Sequence, residues 1–161
     1  MLHSSPEFRN TDPDATDPDV SRVDLLTDFC KEELAAVQAY EQALSLPPLQ
    51  KHSDVLGRCY ASHARRAHLL QQRIQMLGGK APQGPGVWSS LVTVLETAAA
   101  TISENLAILL LEEAEDRGVR RYRERADDLA LANREFLLEW LVPAQNMTHA
   151  AMSSLKHTGH A

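Results

Sequence analysis

Glu33, His63, Glu115 and His149 carry the side chains best suited to chemistry in this 161-residue chain. Glu33 and Glu115 each interrupt an apolar stripe of helical period, where an ionised carboxylate is costly unless paired. His63 interrupts a third stripe, and Gln145 and His149 a fourth. In an antiparallel helical hairpin, facing residues stand equally far from the turn. Glu33 and His63 are equidistant from Pro47-Pro48, and Glu115 and Gln145 from residue 130, close to a second expected turn. These four residues are therefore expected in one layer, with His149 one turn beyond it. Two chemistries suit such a set. Carboxylates and imidazoles could hold a single iron or manganese ion. Alternatively the layer is a metal-free hydrogen-bond network, each carboxylate accepting from Tyr40, Tyr60, Tyr122 or His63. Ser62-His63 is adjacency rather than a triad, and the sequence has no CxxC pair, phosphate loop or nucleophile elbow.

The elements that must position these groups are legible from prolines and glycines. They cluster at Pro47-Pro48 and between Gly78 and Gly86, with Pro143 alone inside a helical pattern. The pattern predicts long helices over residues 21–45, 48–77, 103–126 and 128–156, and a short one over 87–99. Ser21 is the expected N-cap of the first, Gly78-Gly79 the expected end of the second, and Pro143 a kink in the fourth. The fourth stripe reads Leu131, Leu138, Val142, Gln145, His149, Met152. His68 falls on the outer face of the second helix. The expected fold is all-α: a hairpin over 21–79, a long crossover over 80–102 carrying the short helix, and a hairpin over 103–157, together a four-helix bundle.

The first and third stripes superpose at an offset of 82 residues. Leu26 then matches Ile108, Phe29 Leu111, Glu33 Glu115, Val37 Val119, and Tyr40 Tyr122. This predicts two hairpins related by a pseudo-two-fold axis. The succession Glu33…Tyr40…Leu77-Gly78-Gly79, followed by Glu112-Glu113-Ala114-Glu115…Tyr122, resembles the ferritin-like superfamily. Within it the chain is similar to a bacterial two-hairpin domain family of unknown function, over about residues 21 to 157. The resemblance implies a ferritin-like bundle, whose di-iron members take one Glu from each of two helices and Glu-x-x-His from each of the others. Here those motifs read Tyr60-x-x-His63 and Val142-x-x-Gln145. Both bridging glutamates and one histidine are missing, so the six-residue di-iron cage and ferroxidase chemistry are not expected.

Composition narrows the function classes. Aromatic residues are 5% and the net charge is −6. Residues 1–20 hold five acids against Arg9 alone, and three prolines, and read as a disordered acidic tail. The rest is nearly balanced. The basic run from Arg117 to Arg125 has acids within helical reach, so it reads as a solvated face and not a nucleic-acid surface. No apolar run is long enough for a membrane span. Cys30 and Cys59, far apart and outside any motif, suggest a reduced, cytoplasmic protein, with a bridge between neighbouring helices as the alternative. Trp88 and the Ala-rich segment near residue 99 are expected to pack the bundle or an interface. Phe136, Leu137 and Trp140 lie off the fourth stripe and could bury against the short helix around Trp88 or pair two copies as a homodimer. The resulting expectation is a non-catalytic structural or interaction protein. A metal-binding or redox protein using the Glu/His set is the alternative, and a small-ligand pocket at the polar layer is a third option that no residue selects.

Overall fold

The computed structural model describes residues 23–85 and 90–158, and these are helices and connections with no strand among them. The expected tail, the Ser21 cap and Trp88 lie outside the described residues. Helix α1 spans Val23–Ser45. A 3₁₀ segment, Pro47–His52, follows it, because two successive prolines remove the amide donors that an α-helix would need there. The second long helix, α2, therefore starts at Ser53 and runs to Met76. It ends with Gly78 at φ +78°, the Gly78 amide bonding Gln75 O at 3.0 Å and the Gly79 amide bonding Ile74 O at 2.9 Å. The chain packs tightly here: a Cβ on Gly79 would stand 2.6 Å from Val23 Cγ1. Helix α3 covers Ser90–Thr97. Helix α4, Glu104–Arg125, is capped by Ser103, whose hydroxyl accepts from the Leu106 amide at 3.3 Å.

After a 3₁₀ turn at Ala126–Asp128, the last segment comprises α5 (Leu131–Phe136), a π-helical turn (Leu137–Leu141) and α6 (Val142–Thr158). The wide turn ends two residues before Pro143, which has no N–H for the carbonyl four residues back, that of Glu139 within the turn. It accommodates an extra residue and shifts the helical phase, which corrects the expected fourth stripe. Leu131 and Leu138 are exposed, whereas Leu137 and Leu141 are fully buried. Beyond the turn, Thr148 is buried and His149 half-exposed.

Helix α1 packs along α2, α4 along α6, and α2 also meets α6, while α3 lies against α1 and touches α4. Two apolar clusters result. One gathers Leu26, Phe29, Cys30, Leu70, Ile74, Leu137 and Leu141, the other Ala43, Leu49, Leu56, Cys59, Leu95, Leu111 and Met152. Between them lies the polar layer. Cys30 and Cys59 fall in different clusters and both are free thiols, so no bridge joins them. Among the described residues, no helix is long and apolar enough to cross a membrane.

Candidate functional site

Each long helix contributes two residues to the layer at spacings that keep them on one face. Glu33 and Tyr40 on α1, and Glu115 and Tyr122 on α4, are two turns apart, while His63 with Arg66 on α2 and Gln145 with Thr148 on α6 are one turn apart. All eight are buried.

His63 is central. Its Nδ1 lies 2.7 Å from Glu33 Oε2 and its Nε2 2.8 Å from Glu115 Oε1, so one imidazole spans both carboxylates. The tyrosines cross over. Tyr40 OH donates to Glu115 Oε1 at 2.6 Å, and Tyr122 OH donates to Glu33 Oε1. Tyr40 also stacks on the His63 ring at 5.2 Å between centroids. On the other carboxylate oxygen, Glu115 Oε2 accepts from Gln145 Nε2 at 2.7 Å and Thr148 Oγ1 at 2.7 Å. Close approach of Gln145 depends on Gly118, where a Cβ would stand 2.7 Å from Gln145 Nε2.

The fourth charged member is Arg66, only 1% exposed. Its Nε donates to Glu33 Oε1 at 3.0 Å, its Nη1 to Ser62 Oγ at 3.0 Å and its Nη2 to Gln145 Oε1 at 2.9 Å. The same Nη2 lies 2.6 Å from Nδ1 and 3.3 Å from Nε2 of His63. An atom in the ring plane could not approach both nitrogens so closely, so the guanidinium edge sits over the imidazole face. Sequence reasoning missed Arg66 and Thr148. A signal for Arg66 existed: two buried carboxylates demand compensating charge, and Arg66 follows His63 by one turn on the same face.

Burial alone would push both carboxyls up. For Glu33 the charges of Arg66 and His63 outweigh it and hold the group at about 2. Glu115 is lowered as well, its burial overcome by the His63 hydrogen bond and charge. His63 is raised: burial disfavours the imidazolium, but Glu33 and the bond to Glu115 prevail. The phenols of Tyr40 and Tyr122 are pushed well above their usual value by burial and by the glutamates they bond, so they remain donors. The cluster thus holds two carboxylates, one guanidinium and one imidazolium, and its formal charges cancel.

Of the residues singled out from sequence, Glu33, His63, Glu115, Gln145, Tyr40 and Tyr122 come together. Two do not. Tyr60 is half-buried and packs against the apolar cluster, because Cys59, not Tyr60, faces inward one turn before His63. His149 stays outside because Thr148, one turn after Gln145, takes the inner position; its Nε2 lies 3.9 Å from Asp116 Oδ1 and its side chain is 30% exposed. His68 is exposed, as its position on α2 predicts. Among the described residues, no three His, Cys, Asp or Glu side chains are arranged as a metal ion requires. No family model, curated protein or solved structure matches the chain.

Proposed function

We propose that the chain is a ferritin-like four-helix bundle whose centre is closed by its own arginine and histidine, and that it serves as a non-catalytic structural or interaction protein. One observation carries this reading: the Arg66 guanidinium is bonded to Glu33 and Gln145 and lies over His63, inside the layer where a metal would need those ligands. The oxygens of both carboxylates already accept from protein donors, and both nitrogens of His63 face a carboxylate. This donor set does not fit an iron or manganese ion without expelling Arg66. The crossed bonds Tyr40–Glu115 and Tyr122–Glu33 support the pseudo-two-fold repeat. The two free, buried thiols fit a reducing, cytoplasmic setting. Of the three residues expected to pair two copies, Leu137 is fully buried and Phe136 packs against the core, so support for pairing comes from the half-exposed Trp140 alone.

The alternative, a metal-binding or redox bundle, draws on the convergence of Glu33, His63 and Glu115. Elemental analysis of protein purified without chelator decides between them. The arginine-closed reading expects no stoichiometric transition metal. Stoichiometric iron or manganese that disappears in a Glu33→Ala/Glu115→Ala variant overturns it.

A further inference from the structure

Beside the polar layer lies a cavity of about 320 Å³, between α1 and α4. These helices approach through long side chains, namely the Tyr–Glu bonds, the Phe29–Tyr122 ring contact at 5.0 Å and the Glu32–Arg121 ion pair at 2.6 Å. Backbone packing between them is sparse, because α3 occupies the angle at one end. The space is of the size that takes a small ligand.

Its lining follows a pattern. Glu32, Ala35, Ala36 and Ala39 on α1 face Ala114, Arg117, Gly118 and Arg121 on α4. Each set has the spacing of a single helix face, and the 82-residue offset pairs them position by position. The cavity therefore lies along the pseudo-two-fold axis, but its chemistry is not symmetric. Two alanines on α1 correspond to two arginines on α4. The walls are apolar and small. The floor is the polar layer, whose charges are internally balanced and call for no counter-ion. The rim holds two guanidinium groups against the single carboxyl of Glu32. Partial burial pushes that carboxyl up to about 7, with Arg121 opposing, so at neutral pH the rim is net positive. Arg121 Nε is enclosed and is not aligned for a hydrogen bond with Glu32 despite their proximity.

We infer that this cleft binds a small amphiphilic carboxylate, its apolar chain between the alanines of α1 and α4 and its carboxylate at Arg117 and Arg121. This goes beyond the function proposed above, and elemental analysis has no bearing on it. The test titrates full-length protein with sodium octanoate, octan-1-ol and octylammonium chloride below their aggregation limits, by calorimetry and by amide chemical shifts. Octanoate binds one to one, about tenfold tighter than octanol, as a charge-assisted contact requires, with octylammonium weakest. Arg117→Gln removes the preference for octanoate over octanol. Ala36→Leu fills the cleft and abolishes binding of both, its folding checked by circular dichroism. If that variant does not fold, shifts confined to α1 and α4 of the unaltered protein support the inference, and shifts centred on Trp140 and Met147 overturn it. Absence of saturable octanoate binding at millimolar concentration, equal binding of octylammonium, or undiminished binding by folded Ala36→Leu overturns it too.

Discussion

Arg66→Met tests the central reasoning most directly. The substitution keeps a long, unbranched side chain and removes only the charge and its donors. Glu33 Oε1 loses the Nε bond at 3.0 Å, Gln145 Oε1 loses the Nη2 bond at 2.9 Å, and a balanced cluster becomes net negative. The carboxylates left behind are 5% and 2% exposed, so water cannot replace the lost cation. Breaking one partner out of a buried ion pair costs about 3–5 kcal/mol. For a chain of this size that is a fall in Tm of roughly 10 °C, measurable by urea or thermal unfolding at pH 7. The loss should shrink as pH falls and Glu33, freed of Arg66, takes up a proton. The Glu33→Gln/Arg66→Met double variant should recover much of the loss, because no unpaired charge remains on Glu33. Recovery appears as a coupling energy of about 2–3 kcal/mol in the cycle. If Arg66→Met changes stability by less than about 0.5 kcal/mol, as at a surface site, or if the two substitutions simply add, then the arginine does not neutralise the layer and the reasoning fails.

Three further outcomes follow from the same geometry. Glu33 sits at about 2 when folded against 4.5 when free, so its contribution is full above about pH 4.5 and is lost as pH falls towards 2, a change of roughly 3 kcal/mol. His63 is raised above 6.5, so its contribution is full below that value and fades as pH rises through the folded value. Urea midpoints should therefore be highest near pH 5–6, and His63→Gln should remove the alkaline decline while leaving the acid one; an unchanged alkaline limb contradicts this assignment. Gly118→Ala ordinarily gains up to about 1 kcal/mol of helix propensity, but here the new Cβ meets Gln145 Nε2 at 2.7 Å. The variant should be less stable than the parent in chemical denaturation, and a stabilised variant shows that Gln145 moves freely. Cys30 and Cys59 are buried and pushed up to about 11, so neither should react with an aromatic disulfide reagent at pH 8 until denaturant is added, and rapid native-state labelling contradicts their placement.

Much of the layer could be read from the residue pattern because turns act as rulers. Pro47-Pro48 fixed which residue of α2 stands beside Glu33, and His63 is there. Tyr40 and Tyr122 were expected beside the core acids, and Tyr40 donates to Glu115 and Tyr122 to Glu33. What was lost was lost for physical reasons. The phase of α2 was read one residue off before His63, which put Tyr60 in place of Cys59. The π turn before Pro143 breaks the regular period: Gln145 and Met152 beyond it keep the faces that counting assigns, but the residues before and within it are displaced. Leu137 thus stands inside in place of Leu138, and beyond the turn Thr148, one turn after Gln145, stands inside in place of His149. Arg66 was overlooked because an arginine beside a second arginine reads as solvated, and only the charge balance of the layer requires otherwise.

The crossed tyrosine–glutamate bonds bear on how the chain folds. Each half only partly satisfies its own acid: Glu33 takes His63 and Arg66 from its own half but its phenol from α4, and Glu115 takes Gln145 and Thr148 from its own half but its phenol from α1. A hairpin formed alone would hold a carboxylate on an apolar face with its tyrosine donor still absent. The layer is therefore complete only when all four long segments dock. It also proofreads alignment. Apolar side chains tolerate sliding by a turn, but a helix displaced along its neighbour would strand charges in the interior. The polar centre thus favours one register of the packed helices over the many that their leucines and alanines would otherwise permit.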